Sequence, residues 1–395
     1  MLAENRQLRI CMVSEETIVG KNAMIPGGIG QYILRYSESL RDMGHQITVV
    51  CRAERSFDSV DEGLRVVGLN CRKVPWNLCL FKWLWRNRFD IVEIPDWGGQ
   101  GAVAAVFLPR SRGAIVTRGH GHSLFVQRAH GRREVKGRQF YKERVQLHCS
   151  DGILANSLYL RGMFTKDFDI KEREIDVCHI GVDPGAVGNV GTVDPQFNGA
   201  VLIYVGGLDR RKGPVHLLYI LQKMRCRYPM YDTKLMLVGP DTPTGPDGTS
   251  YMEYCKTVAD ELGVSESVQF FGVVPRKQLA SLYAQASIFV SGSHTETLGI
   301  PFLEAMSMGL PVVTWQRGAA PELIVQGQTG YTIEFGDMEA FAQATASMIV
   351  DPVTWQAFSR AARQHVRDNF SESKLLHNQV TWYRDVAAGR ARLEK

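Results

Sequence analysis

Two doubly wound, Rossmann-like α/β domains are the architecture this sequence predicts, and three observations carry it. Short apolar runs alternate with stretches of helical spacing from one end of the chain to the other. The alternation breaks once, at the Gly-, Pro- and Asp-rich segment GVDPGAVGNVGTVDPQFNGA (181–200), and then restarts. The chain has 395 residues, more than one ordinary domain holds.

In the first half the candidate strands are LRICMVS (8–14), ITVVC (47–51), RVVGL (65–69), DIVEIP (90–95), AIVTRGH (114–120) and GILANS (152–157). Their near-continuous apolar character suits strands covered on both faces of a parallel sheet. Residues 31–43 and 134–149 carry helical spacing. After the soft segment come VLIYVGG (201–207), KLMLVG (234–239), VQFFG (268–272), SIFVSG (287–292), PVVTW (311–315) and YTIEF (331–335). Helices over 337–349, 352–369 and 373–388 close the chain. Each half reads as an open strand–helix unit, which binds ligands at the carboxyl ends of its strands.

Composition narrows the class. Apolar residues make up 45% and charged residues 22%, an ordinary globular balance. No run of 18 uninterrupted apolar residues marks a transmembrane helix. The start, MLAENRQLRICMVS, reads as a first strand and not as a signal peptide. Eight scattered cysteines, with no C-x-x-C and no zinc spacing, fit a reduced, cytoplasmic chain. A net charge of +5 is too small for a nucleic-acid binder.

Four stretches carry chemistry. In SHTETLGIPFLEAM (293–306), Pro301 suits the first position of a helix. Glu296 then lies on a loop and Glu304 one turn inside the helix, flanking an N-terminus that favours phosphate. Gly27, Gly28 and Gly30 follow the first strand, where the backbone can approach a phosphate or sugar closely. Ile33 stands where the dinucleotide fingerprint needs a small residue, so a plain tight turn is the competing reading and a dehydrogenase is disfavoured. Arg210, Arg211 and Lys212 sit at a strand-to-helix turn, suited to a diphosphate or simply to solvent. His120 and His122 follow another strand end, and two histidines alone make a poor metal case.

Taken in order, these pieces resemble glycosyltransferase family 4: retaining, nucleotide-sugar-dependent enzymes of the GT-B fold. The resemblance spans PGGIGQYI, GHQITVV, RFDIVEIPDW, DGILANSLYLRGMF, IGVD and the long run HTETLGIPFLEAMSMGLPVVTWQRGAAPELIVQGQTGY. It implies an acceptor domain over 1–185, a linker over 186–199 and a donor domain over 200–372. It also implies a last helix, 373–395, that returns to the first domain. By the same resemblance Glu304 binds the ribose hydroxyls, and Glu296 lies near the donor sugar. The N–H groups of Thr297, Leu298 and Gly299 would face the sugar and diphosphate, and Gly28 and Gly30 would line the donor. Lys212 matches the family's phosphate lysine, and His120, ahead of His122, matches its histidine at the reaction centre. Gly207 stands where the family keeps an arginine, so Arg210 or Arg211 is expected to supply the missing charge.

The expected enzyme is a retaining glycosyltransferase with a UDP- or GDP-type sugar as co-substrate, no other cofactor and no metal. Cell-surface glycan or glycolipid synthesis is its expected setting. A sugar phosphorylase or nucleotide-sugar epimerase of the same fold, and a non-catalytic sugar-nucleotide sensor, are the rival readings. The acceptor is addressed by charge. Residues 110–146 hold ten basic residues and two acids, a net of +8 against +5 for the whole chain. Just before them, WNLCLFKWLWRNRF (76–89) interleaves rings at 81, 83, 85 and 89 with Lys82, Arg86 and Arg88. That pattern suits either a helix packed on the sheet or an anionic membrane surface. An anionic or lipid-linked acceptor at the inner membrane face is the expectation.

Overall fold

A computed structural model describes residues 6–16, 28–183, 200–230, 232–349 and 352–389. The chain divides into two compact units, residues 1–178 with 376–395, and residues 179–375.

The first unit is built on strands β1 (Arg9–Ser14), β2 (Gln46–Ala53), β3 (Phe57–Asp61) and β4 (Leu64–Asn70). It continues with β5 (Ile91–Pro95), β6 (Ala114–Arg118), β7 (Gly152–Ala155) and β8 (Asp176–Val177). Around them lie α1 (Gly28–Asp42), α2 (Trp76–Arg86), α3 (Ala102–Phe107), α4 (Ser123–Ala129), α5 (Arg138–Cys149) and α6 (Leu158–Phe168). The strand order is β3-β4-β2-β1-β5-β6-β7-β8, parallel except for β3 against β4. The strand interiors, such as Ile91, Val92 and Ile94, are fully buried, as strands covered on both faces must be.

The second unit holds β9 (Val201–Val205), β10 (Lys234–Val238), β11 (Val268–Gly272), β12 (Ile288–Ser291), β13 (Val312–Trp315) and β14 (Gly330–Ile333). Its helices are α7 (Pro214–Arg227), α8 (Tyr251–Glu261), α9 (Arg276–Gln285), α10 (Ile300–Ser307), α11 (Ala320–Leu323), α12 (Met338–Met348) and α13 (Pro352–Asn369). The all-parallel order is β11-β10-β9-β12-β13-β14. In each sheet the chain reverses direction once, at β1/β5 and at β9/β12, the positions where doubly wound sheets take ligands.

Three details differ from the sequence reading. Strand β3 pairs antiparallel with β4 through Glu62 and Gly63, both at positive φ (46° and 79°), the geometry of a tight hairpin. Its exposed acids conceal its apolar signal. Helix α1 starts at Gly28, so Gly28 and Gly30 form its first turn and not a loop before it. Residues 179–183 belong with the second unit, where the Glu372 N–H donates to the Val182 carbonyl at 3.1 Å. The last helix, α14 (Glu372–Ala387), belongs from Leu376 onward with the first unit, where Trp382 Nε1 donates to Asp176 at 2.8 Å. The expected linker 186–199 lies outside the described residues. Among the described residues no helix is long and apolar enough to cross a membrane.

Candidate active site

In the second unit two loops flank the switch point. One follows β9 and carries Gly207 to Gly213; the other follows β12 and carries Gly292 to Gly299. They meet through backbone. Gly213 has φ 56°, and a Cβ there would lie 2.3 Å from the carbonyl oxygen of Gly292. A side chain at 213 would push the loops apart. The His294 N–H donates to the Arg211 carbonyl at 2.9 Å, and the Ala319 N–H to the Glu296 carbonyl at the same distance.

This framework brings Lys212 and Glu296 together. Lys212 Nζ donates to both Glu296 carboxylate oxygens, at 2.6 and 2.8 Å. Ser293 Oγ donates to the same carboxylate at 2.7 Å. Burial pushes the Glu296 carboxyl up, but the charges of Lys212 and Arg211 and these hydrogen bonds outweigh it and hold it below the usual carboxylate range. Asp209 orders the basic turn, accepting from the Lys212 N–H at 2.7 Å and lying 3.7 Å from Arg211. Arg211 is half-buried against this cluster, whereas Arg210 is exposed.

Helix α10 starts at Ile300 with Pro301 in its first turn, and Gly299 caps it at φ 99°, in the left-handed region. Leu298 and Gly299 are buried and Thr297 is half-buried. Glu304, half-buried on this helix, lies beside the buried Tyr283 phenol, which burial first and then the Glu304 charge push well up. Sequence reasoning missed Ser293, Asp209 and His294. The His294 ring stacks on His216 at 5.1 Å, and burial, with His216 and Arg317 adding to it, lowers its pKa to about 4.

In the first unit His120 follows the end of β6. Its N–H donates to Asp96 Oδ1 at 2.8 Å, and Asp96, fully buried after β5, also accepts from the Gly121 N–H at 3.1 Å. The His120 ring lies 4.9 Å from that of Tyr32. Burial and the neighbouring Arg118 charge push the His120 imidazole down to about 3, so it is neutral at neutral pH. Its Nε2 is shielded and has no hydrogen-bond partner among the described residues. His122 is structural. It is fully buried, accepts the Phe125 N–H at Nδ1 over 3.4 Å and places Nε2 3.2 Å from Asp167.

The basic segment splits in two. Arg118 is fully buried beside Glu93, and its guanidinium donates to the Cys178 carbonyl at 2.9 Å. Tyr383 of α14 and Tyr32 both donate to Glu93, Tyr32 at 2.9 Å. Arg110 pairs with Asp151, and Arg128 with Glu134 and Asp167. Arg132, Arg133, Lys136, Arg138, Lys142 and Arg144 are exposed, while Glu143 is fully buried. Of the rings at 81, 83, 85 and 89, Phe89 lies in the core, Phe81 and Trp83 pack against it and Trp85 stays 48% exposed.

Residues 26–186 match the family described as Glycosyltransferase Family 4, and residues 195–365 match Glycosyl transferases group 1. The fold is shared with a sucrose-phosphate synthase from Thermosynechococcus elongatus, at a TM-score of 0.76 and 19% identity, over 97% of this chain and all of that one. Together with the two family matches, that likeness gives the architecture as the GT-B fold. The chain belongs to glycosyltransferase family 4. A GDP-mannose-dependent α-(1-6)-phosphatidylinositol monomannoside mannosyltransferase of Mycolicibacterium smegmatis is 28% identical over 87% of this chain and 91% of its own. A D-inositol 3-phosphate glycosyltransferase of Corynebacterium diphtheriae is 25% identical over 96% and 95%.

Proposed function

We propose that this glycosyltransferase moves a sugar, with retention, from a nucleotide diphosphate donor bound by the second unit to an acceptor hydroxyl. The observation that carries the reading is the Lys212–Glu296 pair at the switch point. A cation there stabilises the charge that develops on the leaving diphosphate, and its carboxylate partner accepts hydroxyls of the donor sugar. Glu304 takes the ribose. Arg211, held against Asp209 and close enough in charge to lower the Glu296 pKa, supplies the positive charge that Gly207 lacks. The N-terminus of α10, with Thr297, Leu298 and Gly299 leading into it, faces the diphosphate. In the first unit the first turn of α1, with Gly28 and Gly30, lines the donor. There too His120, neutral and with Nε2 unshared, serves the reaction centre as a hydrogen-bond partner.

The acceptor is anionic, and the enzyme works at the inner face of a membrane. Helices α2, α3 and α5 carry no exposed acid, since their single acid, Glu143, is buried. They expose Trp85, Phe107, Lys82, Arg86, Lys142 and Arg144. Each basic residue near an anionic surface contributes about 1 kcal/mol.

The test is a thermal-shift panel of UDP-, GDP-, ADP- and TDP-sugars, followed by the anomeric proton coupling of the product. A donor at a hundred times its Kd should stabilise by about 2.7 kcal/mol. No shift with any nucleotide sugar, or a β product from an α donor, overturns the reading. Co-sedimentation with anionic and neutral vesicles across a salt series tests the membrane contact separately.

A further inference from the structure

Five buried polar side chains from four elements meet in the first unit: Tyr32 of α1, Glu93 of β5, Arg118 of β6, and Gln379 and Tyr383 of α14. The last two come from the far end of the chain, 286 and 290 residues from Glu93.

The Glu93 carboxylate divides its two oxygens between these elements. Oε1 accepts the Tyr32 hydroxyl at 2.9 Å. Oε2 accepts the Tyr383 hydroxyl and, at 3.3 Å, the Gln379 amide, whose nitrogen also donates to the Tyr383 hydroxyl at 2.6 Å. The Arg118 guanidinium adds its charge and lies 5.4 Å from the centre of the Tyr32 ring. Bonds in such a buried network strengthen one another, and an acceptor that loses its donors there is costly. The Tyr32 hydroxyl therefore keeps one fixed place while α14 holds the other side of the carboxylate.

Tyr32 in turn backs the histidine. Its ring lies 4.9 Å from the His120 imidazole, with the planes tilted by 58°. The His120 backbone is pinned separately, by its N–H on Asp96 at 2.8 Å. Nε2 has no hydrogen-bond partner among the described residues. With no bond at that nitrogen to orient it, the imidazole takes its direction from what it packs on, and Tyr32 is its aromatic neighbour.

We propose that Gln379 and Tyr383 of the last helix are positioning residues for His120: they hold Glu93, Glu93 holds the Tyr32 hydroxyl, and the Tyr32 ring holds the imidazole. That His120 serves the reaction rests on the function proposed above; the positioning of its ring does not.

The first test is the ¹⁵N-imidazole spectrum of the full chain without nucleotide, with the His120 signals identified as those lost in H120A. Y383F and Q379A should each shift these signals. W382F, which breaks a contact of the same helix outside the network, the indole on Asp176 at 2.8 Å, should not. Signals unmoved in Y383F and Q379A, or moved as far by W382F, overturn the proposal. The second readout is turnover, followed as nucleoside diphosphate released from UDP-glucose or GDP-mannose with water as acceptor. Y383F should lower kcat about tenfold and leave the affinity for UDP and GDP unchanged, as loss of alignment at the reacting centre does. In an H120A background Y383F should cost nothing further, because the group it positions is gone. An equal loss in both backgrounds, or an equal loss in W382F, overturns the proposal. If Y383F does not fold, Q379A, which keeps the phenol, replaces it in both readouts. H120A turning over as fast as wild type removes His120 from the chemistry; then, or if neither donor is turned over, the imidazole signals alone decide the positioning.

Discussion

Lys212 Nζ lies 2.6 and 2.8 Å from the two carboxylate oxygens of Glu296, a pair whose side chains are 19% and 12% exposed. A chelated ammonium of this kind is positioned before any donor binds. Replacing Lys212 by Ala should lower kcat by about 10²–10³, the usual effect of losing one electrostatic stabiliser of a developing charge. Glu296→Gln should lower kcat while changing donor affinity little. Steady-state kinetics with nucleotide calorimetry check the split; a K212A enzyme with near wild-type kcat would remove Lys212 from the chemistry.

Glu304→Ala should weaken donor binding by about 1.5–3 kcal/mol, the value of a hydrogen bond to a charged acceptor. That is roughly ten- to a hundredfold in Kd. Calorimetry with the nucleoside diphosphate and with the free diphosphate distinguishes ribose from phosphate contacts. An unchanged nucleoside diphosphate affinity rules out the ribose assignment.

A Cβ added at Gly207 would meet Asp209 Oδ2 at 3.5 Å, an ordinary contact, so a side chain fits there. Gly207→Arg should therefore fold, tighten donor binding and partly rescue Arg211→Ala. Arg210→Ala, at an exposed position, should do less harm than Arg211→Ala. Equal rates for R211A and wild type would end the compensation idea.

His120→Ala should lose most activity with its melting temperature nearly unchanged, because the ring's Nε2 makes no hydrogen bond among the described residues. With its pKa held near 3 by burial and Arg118, His120 stays neutral across the working range. The kcat profile between pH 5 and 8 should therefore show no limb that disappears in H120A. Such a limb would mean that the imidazole titrates during turnover.

Asp167 links acid stability to the loop after β6. Burial raises its pKa, but hydrogen bonds from His122 and Arg128 and their charges outweigh this and bring it down to about 2. The folded value lies below the unfolded one, so its contribution is present above about pH 4 and is lost as the pH falls toward 2. The contribution is on the order of 2 kcal/mol. Denaturant melts of wild type and Asp167→Asn between pH 7 and 2 should converge at the acid end; parallel curves would contradict the linkage.

The strand–helix rhythm, the Pro301 helix start and the basic turn at 210–212 are local signals, readable from residue type and spacing alone. So was the family, through the order of Gly, Pro and Glu around 296–304. The antiparallel β3 escaped because an exposed, acid-rich edge strand has no apolar pattern to read. Charge in sequence also misplaced Arg118. It counts toward a basic surface by position, yet it is fully buried in a network with Glu93 and with Gln379, 261 residues away. The same holds for Lys212 and Glu296, 84 residues apart. Residue type determined which groups could carry charge and where helices could begin. Which charges face water, and which face each other, depended on strand order, because only the parallel sheet brings distant strand ends to one edge.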